Sequence, residues 1–437
     1  MSILSFLTGT GRSSVPGAVN IGSPESKANP FPFYARLRAE APVYRVRLPT
    51  KEMAWLITRY DDVTTVLKDE RFVKDTKNAL TAEQAANVLW FRRMFRSLGR
   101  NMLDQDPPVH TRLRALVNKA FTPRLIEQMR DRVVGLTEGL LLAVQHRGYM
   151  DVIHDYALPL PTTIIAEMLG VPAADRHRFH RWSKALMEAG NSTWGLVKAV
   201  PNVFLFMRYL RKFIRNHRAD LRDDLVSALI RVEEDGDKLS EDELLAMVML
   251  LLVAGHETTV NLIGNGVLAL LEHPAQMERL RNDPILIRPA VEELLRFTSP
   301  VDIATERYAR EDVTIAGVAI PQGDMVFAMI GSANRDERQF PNPNALDISR
   351  EPNKHLAFGL GTHFCLGAAL ARLEGEIAIN TLLRLFPDLR LAKASHELRW
   401  RPGLLLHGLE SLPVAFGKTA RPIQQVERSA DRMLVPE

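Results

Sequence analysis

The chain has 437 residues, 46% hydrophobic and 25% charged, with a formal net charge of +4. That balance excludes a wholly disordered chain and supplies enough apolar residues for a large core. A single cysteine, Cys365, excludes internal disulfides and any zinc or iron-sulfur centre that needs several thiolates. Basic residues are scattered among acidic ones without a dense block or aromatic interleaving, so nucleic acid is not an expected partner.

Residues 1–30 are rich in Gly, Ser, Pro and Asn and read as a loosely ordered N-terminal arm. Their opening, MSILSFLTGTGRSS, lacks the basic region and long apolar stretch of a secretory signal, which predicts a cytoplasmic protein. VYRVRL at 43–48 and AWLITR at 54–59 carry strand signals. After Thr122-Pro123-Arg124 a long amphipathic helix is expected to about Gln145. Ser240-Glu241-Asp242-Glu243 is a capping-box pattern ahead of the apolar run Leu244 to Ala254, and predicts a long buried helix. That run has eleven residues against the roughly 20 of a bilayer-spanning helix, so no membrane segment is expected. Residues 312–330 read as further strands, with turns at Gly317 and Pro321-Gln322-Gly323. No linker or repeat interrupts the body, which predicts one domain over 31–416 and a polar tail over 417–437. The class is mainly α with small β-sheets.

Phe358-Gly359-Leu360-Gly361-Thr362-His363-Phe364-Cys365-Leu366-Gly367 is the most informative segment. Its glycines let backbone approach a flat ligand closely. Cys365 precedes a helical pattern at Leu366, Ala369, Leu370, Leu373 and Ile377. A helix amino terminus favours the thiolate, the form that ligates metal. A lone thiolate suits haem iron better than zinc.

This segment, as Phe358-x-x-Gly361-x-His363-x-Cys365-x-Gly367, resembles the haem-binding signature of the cytochrome P-450 family. The resemblance extends in order and spacing from about residue 30 to 415. It implies a helical prism with small β-sheets, haem b between two long helices, and Cys365 as the axial ligand to iron. Ala254-Gly255-His256-Glu257-Thr258-Thr259 is similar to the family's oxygen-activation groove, with Ala254 and Gly255 against the haem and Thr258 and Glu257 as a proton relay. Glycine inside a strong helix also suggests close approach of something bulky. Glu293-Leu294-Leu295-Arg296 with Arg350 resembles the family's E-x-x-R element and reads as a structural buttress. His110 and Arg114 share a helix face, and with Arg307 and His363 are similar to the family's haem-propionate contacts. Phe358, Gly359 and Gly367 complete the expected cofactor-binding set.

The implied activity is that of a haem-thiolate monooxygenase of bacterial secondary metabolism, using O2 and electrons from a separate ferredoxin and NAD(P)H-dependent reductase. Apolar segments at 85–100, 175–210, 250–255, 301–305 and 403–407, with Val88 to Phe91, Phe95, Phe204, Phe206 and Tyr209, predict a pocket for a medium to large hydrophobic substrate. The alternative is a non-catalytic haem-based gas sensor or haem carrier. His256-Glu257-Thr258-Thr259-Val260 lacks the second histidine of a zinc-protease motif, and Gly264-x-Gly266-x-x-Ala269 follows no strand, so neither motif keeps its function here.

Overall fold

In the computed structural model, which describes residues 20–48, 52–81, 100–175, 178, 182, 193–232 and 238–417, two short helices come first, α1 (Pro24–Ala28) and α2 (Phe31–Glu40). The antiparallel strands β1 (Val43–Arg47) and β2 (Met53–Ile57) follow, then α3 (Tyr60–Lys68) and β3 (Phe72–Val73). A helical block runs through α4 (Val109–Ala120), α5 (Pro123–Gln128) and α6 (Arg130–Val144), then β4 (Tyr149–Asp151), a π-helical turn at Val152–Ala157 and α7 (Pro159–Met168). It continues through α8 (Thr193–Ala219), α9 (Leu225–Arg231), α10 (Glu241–Glu272), α11 (Pro274–Asn282) and α12 (Ile287–Thr298). Strands β5 (Arg307–Ala309), β6 (Val313–Ile315), β7 (Val318–Ile320) and β8 (Met325–Ala328) precede α13 (Ile330–Ala333) and α14 (Ala368–Leu385). β9 (Arg390–Leu391) and β10 (Pro413–Ala415) close the described chain.

The strands form a sheet of order β1-β2-β8-β5-β3, a second of order β4-β10-β9, and the β6-β7 hairpin. Each is small, as the sequence predicts. The hairpin turns at Gly317, whose φ of +79° an L side chain adopts only with strain.

α10 is the axis of the helical layer. Its capping box forms: the Ser240 hydroxyl accepts from the Glu243 amide at 3.3 Å, and the Glu243 carboxylate accepts from the Ser240 amide at 2.9 Å. The helix packs against α7, α12, α14 and the π-helical turn. The glycines of the Gly264-x-Gly266 pattern have a packing role: a Cβ at Gly264 would lie 2.3 Å from Ile153, and one at Gly266 3.3 Å from both Leu294 and Ile379. α10 is long and apolar enough to cross a membrane, yet 78% of its most apolar window is buried inside the protein.

Two expectations need correction. The loosely ordered arm does not extend to residue 30, because the Lys27 side chain in α1 is fully buried and donates to Asp302 at 2.6 Å and to the Leu404 carbonyl at 3.1 Å. The helix expected from 122 to 145 is two, because the Met129 amide turns back to the Ile126 carbonyl at 3.0 Å, ending α5 before α6 begins. Residues 418–437 of the expected tail, and Val88 to Phe91 with Phe95, lie outside the described residues.

Candidate functional site

A cavity of about 270 Å³ opens between α10 and the loop that leads into α14. Ala254, Gly255, Thr258 and Thr259 line it from α10, and Phe358, Gly359, His363, Cys365 and Gly367 from the loop. The loop holds its shape through the Cys365 amide, which donates to the Phe358 carbonyl at 2.9 Å, and through Gly359 and Gly361 at φ +68° and +72°. Gly361 is doubly constrained, since a Cβ there would lie 2.9 Å from the Leu67 carbonyl oxygen. Two long helices therefore face one another across a slot, with the cysteine at the amino terminus of one.

Burial pushes the Cys365 thiol up, opposed by the Gly367 amide and by the charges of Arg114 and Arg372. The geometry adds positive charge to the helix amino terminus on two sides, from Arg114, whose Nη1 donates to the Phe364 carbonyl at 2.7 Å, and from Arg372, stacked 4.4 Å over the Phe358 ring. Arg372 is held in turn by Glu292 at 2.6 and 2.9 Å. Although burial raises the Glu292 carboxyl, hydrogen bonds from Arg372 and His355 bring it down to about 2.

The four cationic or polar groups expected at the cofactor's edge converge. His110 is 3% exposed, its ring lies 4.3 Å from that of His363, and neither of its nitrogens has a hydrogen-bond partner. Arg307, on β5, is buried, and burial lowers it to about 10. His363 is driven down to about 2 by burial and by the charges of Lys74, Arg307, His110 and Arg114. Lys74 was not legible as part of this set, since it lies just after β3 and far from every motif. Its Nζ donates to Thr305 Oγ1 at 2.5 Å and to the Glu306 carbonyl at 2.8 Å. So much buried positive charge around unpartnered imidazole nitrogens is a site built for anions. A flat ligand with two carboxylates and a thiolate-liganded metal fits this donor set.

On the α10 wall the expected relay separates. Thr258 faces the cavity while its hydroxyl donates to the Ala254 carbonyl at 3.0 Å. Glu257 does not line the cavity: it accepts from Arg401 Nη1 at 3.2 Å, and burial raises its carboxyl against that pairing. Sequence reasoning also missed Glu374 on α14, which lines the cavity, is 1% exposed and has an unpartnered Oε2. Burial, opposed by a hydrogen bond with Thr259, raises it to about 8. Nothing in the local spacing marked it.

Beneath the loop, Glu293 and Arg296 of α12 pair at 2.7 and 2.8 Å, both fully buried, and Arg350 Nε meets both Glu293 oxygens at 3.1 Å. The buttress expected from the sequence is present in geometry. Of the expected pocket walls, 250–255 and 301–305 line the cavity. Segment 403–407 instead lies behind them, with His407 stacked on Trp400 at 4.1 Å and hydrogen-bonded to the Thr298 and Lys27 carbonyls. Phe206 packs beside Trp182 in the core and Phe204 faces solvent, so the aromatic group on α8 does not line the cavity either.

The cytochrome P450 family model matches residues 11–284 and 285–399. The polyketide biosynthesis cytochrome P450 PksS of Bacillus subtilis is 46% identical over 393 residues, covering 89% of this chain and 96% of that protein. A PksS structure superposes with a TM-score of 0.85 over 91% of this chain and 99% of that one, at 45% identity. P450BioI in complex with hexadec-9Z-enoic acid ligated acyl carrier protein superposes with a TM-score of 0.82 over 90% and 99%, at 40% identity.

Proposed function

Because the chain belongs to the cytochrome P450 family, and so is a haem-b-dependent monooxygenase, we propose that it hydroxylates or epoxidises a medium to large hydrophobic molecule of the polyketide or fatty-acyl kind. Haem b supplies reductive activation of O2 and transfer of one oxygen atom to the substrate. Cys365 holds the iron as thiolate, which Arg114, Arg372 and the Gly367 amide stabilise against the cost of burial. His110, Arg114, Arg307 and His363, with Lys74, take the two propionates. Ala254 and Gly255 give α10 a low wall against the macrocycle.

Thr258 and Glu257 divide the proton work. The Thr258 proton is engaged by the Ala254 carbonyl, so Oγ1 presents lone pairs to the cavity and positions a donor there. Glu257, held by Arg401, stands behind it as the reservoir. The remaining lining from α10 and from Val301 to Ala304 is almost wholly apolar and excludes water.

Electrons come from a separate ferredoxin and NAD(P)H-dependent reductase, docking on the face that carries the exposed Lys119 and Arg124. Arg112, on the same helix as Lys119, is engaged in an ion pair with Glu243. The protein is read as cytoplasmic.

The observation that carries this reading is Cys365 with His110, Arg114 and His363 on one cavity, Arg307 close enough behind them to act on His363, and an apolar wall among the described lining residues. NAD(P)H-dependent product formation with a surrogate ferredoxin and reductase, across a panel of acyl and macrolactone compounds, tests it. Haem reduction without any oxidised product across the panel would favour the gas sensor or haem carrier.

A further inference from the structure

The outer face of α8 bears a stripe of cations that the reaction does not use. The helix carries Lys198, Arg208, Arg211, Lys212, Arg215 and Arg218 and no aspartate or glutamate. At about 100° per residue, Arg208, Arg211, Arg215 and Arg218 fall on an arc of about 80°, with Lys212 beside it. These five are exposed, and among the described residues none pairs with an acid. Phe206, Leu210 and Phe213 occupy the opposite, buried face. Like charges three and four residues apart destabilise a helix. Elsewhere on this surface arginines meet acids, as in Arg130 with Glu127, Arg132 with Glu167 and Arg338 with Asp336. On α8 that compensation is missing, while exposed Phe204 and Leu205 extend the stripe with apolar surface.

We infer that this stripe docks a small acidic carrier protein that presents the substrate as a thioester-linked acyl chain. The inference rests on the acyl-type substrate proposed above. Among the described lining residues the ionisable side chains are His110, Arg114, His363, Cys365 and Glu374, all assigned to the cofactor site, and the wall from α10 and Val301 to Ala304 offers a long acyl chain no charged anchor for its head. Binding energy must then be gathered outside the cavity, and a row of unpaired cations beside an aromatic residue complements an acidic helix. A ferredoxin fits less well, because α8 packs principally on α9 and α10 and not on the cysteine loop. A membrane fits less well, because the apolar face of α8 is committed to the core and leaves only Phe204 and Leu205 exposed among its large described apolar side chains.

The test uses haem-loaded full-length protein and the double variant Arg211→Glu/Arg215→Glu, with haem content checked by the reduced carbon monoxide spectrum. Palmitoyl-loaded acyl carrier protein and free palmitate are each titrated, following loss of the water ligand in the ferric haem band at low and high salt. The parent should bind the loaded carrier more tightly than palmitate. The variant should weaken carrier binding by about tenfold and lose its salt dependence, with palmitate binding unchanged. Equal carrier affinity in parent and variant overturns the assignment, as does a parent with no preference for the loaded carrier.

Calorimetry with the unloaded carrier separates this inference from the substrate reading. Carrier binding that the variant loses supports the docking face even where palmitate is not oxidised, whereas equal binding overturns it even where palmitate is oxidised. A matching loss in ferredoxin-supported haem reduction, or loss only of binding to phosphatidylglycerol vesicles, assigns the stripe to another partner and also overturns it.

Discussion

Replacing Arg296 with methionine keeps the volume of the side chain and removes its guanidinium from the centre of the buttress. The group makes five hydrogen bonds: two to Glu293, and one each to the carbonyls of Asn334 at 2.8 Å, Pro343 at 2.9 Å and Ala345 at 3.3 Å. Glu293 is not left isolated, because Arg350, the Asp347 amide and Asn353 still donate to it. Ala345 likewise keeps Arg350. The carbonyls of Asn334 and Pro343 lose their donor, at about 1–3 kcal/mol each, so Arg296→Met is expected to cost about 3–5 kcal/mol. Arg350→Met removes a partner whose other acceptors, Pro341 and Asn342, sit at the surface, and is expected to cost about 1–2 kcal/mol. The damage should reach the cofactor, because Asn334 also accepts the Leu356 amide at 2.8 Å just ahead of the cysteine loop. Urea unfolding of both haem-loaded variants, with haem content after gel filtration, measures the difference. Equal losses, or a loss below about 1 kcal/mol for Arg296→Met, would refute the assignment of Arg296 as the centre of the buttress.

Thr258→Val should fold, load haem and consume NAD(P)H, but release hydrogen peroxide in place of product. An unchanged ratio of peroxide to product would confine the hydroxyl to its bond with the Ala254 carbonyl. Glu374, raised from 4.5 to about 8, keeps in the folded state a proton that the unfolded chain releases, so it costs stability progressively as pH rises through that window. Glu374→Gln should therefore gain stability on the parent between pH 5 and pH 8, read by urea unfolding at both; a gap that does not widen contradicts the shift. Arg307→Ala should lower haem retention after gel filtration, since it strips one buried cation from the cofactor's edge. Retention equal to that of the parent would mean that Lys74 and His363 suffice.

The loop around Cys365, the capping box at Ser240 and the Glu293–Arg296 pair were legible because each depends on local spacing: two glycines with positive φ, a hydroxyl three residues before a carboxylate, and charges one helical turn apart. Lys74 and Glu374 were not, because their importance comes from what the fold carries next to them. Lys74 reaches Thr305 across 231 positions of sequence. The position of Glu257 was not legible either: it is adjacent to Thr258 in sequence but about 100° away around the helix, which turns it towards Arg401 and behind the cavity lining. β3, β4, β5, β9 and β10 escaped because each is two or three residues long, too short for any alternation to register.

The central claim is that Cys365 holds the haem iron as a thiolate, and the carbon monoxide complex of the reduced protein reads that bond most directly. The parent should show the long-wavelength haem band of thiolate ligation, and Cys365→Ser should lose it while haem remains bound by the groups at its propionate edge. A thiolate-type band that survives in Cys365→Ser at matched haem content would contradict the account.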